Sequence, residues 1–593
     1  MHNTIGMFQS FEQGVSKEWL LTNGIGGFAS STAVGANTRR YHGLLVASLN
    51  PPVNRILAVS KLNESVTIGN QTTPLHTDQF SDAVCEGFRH LHRFVAQPVP
   101  TYTYFVNGVW IVKKVCMVFG QNITTVQYQI TTDRLGCQLD ITPLVNHRDF
   151  HSDIRREHLH FEQQNKKDGV ILQASHLSQP IYLNISKGTF EPFVDYFYNM
   201  VYQIEAERGL CSVEDHYMPG KFTLHVPPAQ CVTVTVTMGV GATTKLDAQE
   251  VISQEILRQE KLITQAKVQN QLQATTPLFE QLTVAADQFI VFRQSTKAKT
   301  VLAGYPWFND WGRDTMIALT GLTMVTGRLD DAKDILTTFS HYIEKGLVPN
   351  CFPDQGETPC YNTVDASLWY VDAVHRFIKY GGDEQYAIKH FYPCVEQIIH
   401  AYMNGTSHDI FMEEDGLIHA GNAHTQLTWM DAMVNNVVFT PRYGKAVEIN
   451  ALWFNALNIY AKLFPENKKV MPLIKKVQAS FIEIFWHEDH HCLYDTAFEG
   501  YKDGTIRPNQ IFAVSLDFPV LTGDKAKQVV SLVYEQLYTP YGLRSLSPYD
   551  VHYHSNYYGD HFNRDAAYHQ GTAWSWLSGH FITAYLRVHG YDE

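Results

Sequence analysis

Acidic and aromatic residues in the C-terminal half of this chain gather in four short segments. The first, Gly304-Tyr-Pro-Trp-Phe-Asn-Asp-Trp-Gly-Arg-Asp-Thr315, puts Trp311, Arg313 and Asp314 where an apolar helical run, MIALTGLTMV, begins. Asp314 suits a helix cap. An Arg–Asp pair flanked by Trp also offers a donor fork and an acceptor to vicinal sugar hydroxyls, and the aromatics make this the better reading. The second segment runs from Val348 to Asp354 and on through Tyr361-Asn-Thr-Val-Asp-Ala-Ser-Leu-Trp369. Its Asp365 lies near a helix start, where a first-turn dipole role and a site role both fit. The third, Thr428-Trp-Met-Asp-Ala432, sets Asp431 beside Trp429. A carboxyl held against an aromatic wall has its charged form desolvated, which raises its pKa and suits it to donate a proton. The fourth, Tyr568-His-Gln-Gly-Thr-Ala-Trp-Ser-Trp576, brings His569 and Gln570 as hydrogen-bonding groups, with Trp574 and Trp576 fitting core or site alike.

Other chemistries lack a motif. His487, His490, His491 and Cys492 are metal-ligand types, but their spacing fits no recurring zinc module and they follow a helix end, so no metal is expected. There is no GxxxxGK[ST], no GxGxxG after a strand, no HExxH and no GxSxG. The formal net charge of −13 over 593 residues disfavours nucleic acid, whose phosphates need clustered Lys and Arg. No apolar run approaches the roughly 20 residues that span a bilayer. The N-terminal MHNTIGMFQSFEQG has neither a basic region nor an apolar one of signal type. Nine scattered cysteines without a CxxC pair read as reduced thiols, so a cytoplasmic location is expected. The 31 Tyr and 10 Trp fit a large aromatic core or a cleft that stacks on pyranose faces.

The elements that must position these residues change character along the chain. From about 40 to 240, segments such as YHGLLVASL, TTVQYQITT and CVTVTVTMGV alternate apolar and polar residues or form short β-branched runs between turn signals. They predict a β-sandwich domain over 1–245. Residues 246–275 carry helix formers and charges and predict a helical linker. The remainder, 276–593, predicts helices near 276–294, 310–326, 329–346, 363–381, 385–403, 446–463, 466–486, 510–518, 523–538 and 567–588. Alternating short and long loops between them fit an α/α toroid, which closes with twelve helices, two more than this count.

Taken together, the segments resemble the glycogen debranching enzyme family in its prokaryotic amylo-α-1,6-glucosidase form. The resemblance starts at Glu18-Trp-Leu-Leu-Thr-Asn-Gly-Ile-Gly-Gly-Phe28 and Asn37-Thr-Arg-Arg-Tyr-His-Gly-Leu-Leu45. It resumes with WGRDTMIAL, YNTVDASLW, TWMDAMV, AVEINALWFNAL, RPNQIFAVSL and AYHQGTAWSWL, in order over nearly the whole chain. It implies a supersandwich-like N-terminal β-sandwich and an (α/α)6 barrel of the glucoamylase type, here without its last helices. It also implies removal of α-1,6-linked glucose from glycogen or a related α-glucan by an inverting acid–base mechanism, with no cofactor. Asp431 matches the general acid, and Arg313 and Asp314 match a clamp on the terminal glucose. Trp311, Asp365, Trp369, Trp429, His569 and Gln570 fall on substrate-pocket positions. The family's general base lies in a segment beyond the point where this sequence stops. Asp565, Asp560 and Glu448 are the in-chain alternatives. An exo-α-glucosidase of short oligosaccharides and a non-catalytic α-glucan-binding protein are the other functions that fit. Arg39, Arg40, Tyr41 and His42 are expected to brace the sandwich against the barrel rather than to touch sugar.

Overall fold

The computed structural model describes residues 4, 5, 8, 10–241, 245–352 and 359–591. Pro353 and Asp354 of the second segment lie outside the described residues. Contacts divide the chain into two compact units, Met1–Asn309 and Asp310–Glu593.

The first unit is built from two antiparallel sheets. In strand Cys137–Asp149, Cys137, Leu139 and Ile141 are buried while Gln138, Asp140 and Thr142 are not, the period of two that a pleated strand imposes. That strand lies inside an eight-stranded sheet, between Val53–Ile68 and Val213–Val226. A second, nine-stranded sheet contains Val109–Met117, Ile123–Thr131 and Cys231–Val240 as successive neighbours. Leu45, Val59, Val66 and Ile141 of one sheet share a single buried cluster with Ile111, Val115, Val126 and Val236 of the other. Two sheets that bury their apolar faces on each other form a sandwich.

The helix Ala248–Gln269, expected as a linker, packs on Val109–Met117 and Ile123–Thr131, where its Val251 and Ile252 join Val99 and Cys116 in a small core. Arg258 ties it to Asp287 of the next helix, Pro277–Gln288, at 2.6 Å. Compactness therefore carries the first unit on to Asn309, past the end of the strand pattern. The residues of the Asn37–Leu45 motif have partners inside this unit. Arg39 pairs with Glu18 at 2.7 Å, Arg40 donates to the carbonyls of His151 and Cys211, and Tyr41 bonds His151.

The second unit is helical. Helices Ala366–Lys379 and Val447–Leu463 are buried on almost every face, so they form its interior. The amphipathic helices Leu329–Ser340, Val470–Phe485 and Gly523–Leu537 bury one stripe each. The expected stretch 385–403 is divided at Phe391 into Glu384–His390 and Tyr392–Asn404, with Pro393 opening the second piece. The expected 567–588 is not one helix. A helix His561–Tyr568 ends before His569, and a short strand Ala573–Trp574 and a turn of 3-10 helix precede Ser578–His589. Gly571 sits in this break at φ +148 with its N–H on Ser545 Oγ, a backbone state that favours glycine. No described helix is long and apolar enough to cross a membrane.

Candidate active site

Polar residues collect at the N-terminal ends of the second unit's buried helices. Arg313 and Asp314 stand in the first turn of Gly312–Leu319, Asp365 immediately before Ala366–Lys379, and Glu448 in the first turn of Val447–Leu463. Arg507 and Asn509 open the run from Pro508 to Ser515, and His569 follows the helix His561–Tyr568. The helix starts among them carry unpaired backbone N–H groups and a partial positive charge, which suits them to hold carboxylates, whereas His569 lies at the C-terminal end of its helix.

Hydrogen bonds tie these ends into two groups, which meet along the chain between Leu427 and Asp431. The buried Arg313 donates through Nε to both oxygens of Asp365 at 2.8–2.9 Å, through Nη1 to Asp431 Oδ2 at 3.1 Å, and through Nη2 to the Leu427 carbonyl at 3.0 Å. Asp365 therefore does not cap its helix; its carboxylate is turned to the guanidinium. The fork expected to hold sugar is in large part spent on placing Asp365 and Asp431. Trp429 donates its indole N–H to Asn509 Oδ1 at 2.7 Å, and Asn509 donates to Asp495 at 2.7 Å. Arg442 links Asp495 to Glu448, and Arg507 donates to the His569 carbonyl at 2.7 Å and to Gln570 Oε1 at 2.8 Å.

Two carboxyls beside Arg313 are both wet and desolvated. Asp431 keeps 39% of its side-chain surface, and Asp314 is exposed. Yet crowding by surrounding protein raises Asp431 above the ordinary carboxylate range, against the lowering pull of Arg313, and raises Asp314 to about 6. Tyr568 feels the charges of Asp431, Asp565 and Asp314, which places its phenol among them. His569 is 1% exposed, its pKa is driven well below 6.5 by burial and then by Arg507, Arg313 and Arg442, and its Nδ1 has no hydrogen-bond partner among the described residues.

The structure separates the remaining expected residues. Trp311 is the half-buried N-cap residue of Gly312–Leu319 and pairs with Cys351 across a β-bridge. Trp369, expected on the pocket wall, is 4% exposed and packs against Phe512 and His580 in the core, because the turn after Asp365 rotates it inward. Trp429 is also covered, its ring met edge-on by His569, Trp574 and Trp576 at 5.2–5.5 Å. Gln570 has both ends of its amide in use, accepting from Arg507 and donating to the Phe439 carbonyl. Among the alternatives for a base, both oxygens of Glu448 accept from Arg442. Asp560 caps the helix His561–Tyr568 by accepting from the Asn563 N–H at 3.0 Å. Asp565 keeps 23% of its side chain exposed, 3.5 Å from His561. Arg442, Asp495, Arg507, Asn509 and Tyr568 were not expected in the site. The Arg-Pro-Asn-Gln sequence directly before the apolar run IFAVSL is the signal that locates two of them.

Comparisons with known proteins show the family and the fold. The sequence model described as amylo-alpha-1,6-glucosidase matches residues 284–593. The chain belongs to the amylo-alpha-1,6-glucosidase family. A second model, glycogen debranching enzyme N terminal, matches residues 17–233. Outside these, the glycogen debranching enzyme of Saccharomyces cerevisiae is 25% identical over 392 residues, 49% of this chain and 25% of that protein. The chain thus spans about a quarter of the length of that relative. Among solved structures, a bacterial glucoamylase complexed with acarbose superposes at TM-score 0.55 with 11% identity, covering 99% of this chain and 87% of that one. A protein described as a kojibiose phosphorylase, from the human microbiome, superposes at TM-score 0.52 with 10% identity, covering 90% of this chain and 80% of that one. At these identities the likeness is one of fold: a sheet-rich first unit followed by a helical unit of the α/α type.

Proposed function

We propose that this member of the amylo-alpha-1,6-glucosidase family is a glycoside hydrolase of α-glucans that removes α-1,6-linked glucose at branch points of glycogen or a related polymer. The observations that carry the reading are that Asp314 and Asp431 both keep contact with water, that each is raised in pKa, and that Arg313, next to Asp314 in the chain, donates to Asp431 at 3.1 Å. In the reaction Asp431, protonated, gives its proton to the glycosidic oxygen as the C1–O bond breaks. Water attacks C1 from the opposite face and loses its proton to a second carboxylate, with the two carboxyls roughly 6.5–9.5 Å apart in inverting enzymes. Asp565 is our candidate for that base, because it shares Tyr568 as a neighbour with Asp431. No step calls for a metal or an organic cofactor.

Asp314 supports a second reading. A carboxyl at about 6 holds its proton close to neutrality and is itself a plausible donor. The test is glucose release from a phosphorylase-limit dextrin by the wild type and by Asp431→Asn, repeated with α-glucosyl fluoride, whose leaving group needs no proton. Loss of ~100–10,000-fold on dextrin with the fluoride spared makes Asp431 the acid. The same split in Asp314→Asn transfers the role. A wild type inert on both substrates overturns the hydrolase reading.

A further inference from the structure

Between Ser547 and Phe562 the chain carries four tyrosines and three histidines but no lysine or arginine. This loop is pinned at both ends. The His554 N–H donates to the Gln570 carbonyl at 2.6 Å, and Arg564 donates to the Gly559 carbonyl at 2.6 Å. Its apolar surface nonetheless faces water: Tyr557 is 47% exposed, Tyr558 69% and Phe562 44%. Large exposed rings on an anchored loop mark a surface that binds something.

The rings are continuous with the candidate active site. Trp574 meets Trp429 at 5.5 Å, Tyr568 meets Trp574 at 4.8 Å, and Tyr557 meets Tyr568 at 5.7 Å. Tyr568 feels the charge of Asp431. An aromatic track therefore leads from beside the proposed acid out to solvent. Flat rings match the C–H faces of pyranoses, and phenol and imidazole groups exchange hydrogen bonds with hydroxyls. The absence of cations fits a neutral ligand.

We propose that Tyr557 and Tyr558, with Tyr568 and Trp574 behind them, form a binding track for the α-glucan chain that carries the scissile glucose. The inference rests on the hydrolase reading and deepens it, because it makes the substrate a polymer strand rather than a short oligosaccharide.

Retardation in native gels containing glycogen tests it, in an Asp431→Asn background so that the polymer is not consumed. The double variant Tyr557→Ala/Tyr558→Ala is expected to raise the apparent Kd for glycogen about tenfold or more. The double Phe variant, which keeps the rings and the fold, is expected to bind like its parent. Unchanged retardation of the Ala variant overturns the track, and so does a parent that glycogen does not retard. A shift in oligomeric state by size exclusion with glycogen retardation unchanged overturns it in favour of contact with a second copy. Glycogen retardation without any glucose release from dextrin by the wild type overturns the hydrolase reading and leaves the track standing.

Discussion

At the residue scale, the site is decided by how much water each carboxyl keeps. Asp314 and Asp431 sit near the same guanidinium, yet burial outweighs its attraction and both are raised. The consequence is a bell-shaped pH dependence. Asp314 ionises as pH rises through about 6, changing from donor to acceptor toward a sugar hydroxyl. KM for dextrin is therefore expected to fall across that interval, and in Asp314→Asn this limb disappears, with KM at pH 7 raised about tenfold or more. Asp431 must be protonated to act, so kcat falls on the alkaline side as its raised pKa is passed. Steady-state kinetics from pH 4.5 to 8.5 read both limbs. Sequence reasoning named Arg313, Asp314, Asp365 and Asp431 from their segments and a family resemblance, but not Arg442, Asp495, Arg507 or Asn509. It could not tell that Trp369 turns into the core or that Gln570 is held at both ends, because side-chain direction depends on partners distant in the chain.

At the element scale, helix starts place the chemistry, and two contacts fix them. A Cβ on Gly312 would lie 1.9 Å from the Pro349 carbonyl oxygen, a backbone atom that cannot yield cheaply. Gly312→Ala is expected to cost ~1–3 kcal/mol of stability. Displacing Arg313 and Asp314 by about 1 Å is expected to lower kcat ~100-fold, with the helix content by circular dichroism unchanged. Arg442 lies between the buried carboxylates of Glu448 and Asp495 and, through Asn509, reaches Trp429. Arg442→Met removes the cation from buried Glu448 and leaves Asp495 to the more distant cation of Arg507, at 3.8 Å, so a loss of ~3–5 kcal/mol is expected in thermal or urea unfolding. The helices themselves were legible from their apolar periods. The break at 569–577 was not, since the aromatic residues there continue a helical pattern, while the φ of Gly571, its bond to Ser545 and the pairing of Ala573–Trp574 with Leu543–Arg544 interrupt it.

At the scale of the whole molecule, each compact unit has its own polar interior, and that of the sandwich is pH-sensitive. Burial alone would lower the pKa of His76, but its 2.6 Å bond to Asp78 and that carboxylate's charge push it up to about 9. Asp78, facing both Lys61 and His76, is held well below the ordinary range despite burial. A raised histidine stabilises the fold fully below its unfolded value of about 6.5, and that contribution is lost as pH rises through about 9. The depressed Asp78 acts on the other side, stabilising above its unfolded value of about 3.9 and ceasing to do so in acid. The first unit's Tm is therefore expected to decline between pH 6.5 and pH 9, corresponding to about 1–3 kcal/mol, and His76→Gln to flatten that decline. Calorimetric scans across the interval check it.

What the sequence determined by itself was the architecture and the cast of residues. Period two in the first part and period 3.6 in the second follow from backbone geometry, which is local, so they can be read without a partner in view. Asp314 and Asp365 were likewise visible as carboxylates near helix starts, and Asp431 as a carboxylate beside Trp429. The tertiary structure alone decided what each carboxyl does. It spent the Arg313 fork on Asp365 and Asp431, closed Glu448 against Arg442, and turned Asp560 to a helix cap. It left Asp314 and Asp431 in contact with water. Hydration and charge pairing are sums over neighbours from many parts of the chain, and no local pattern contains them.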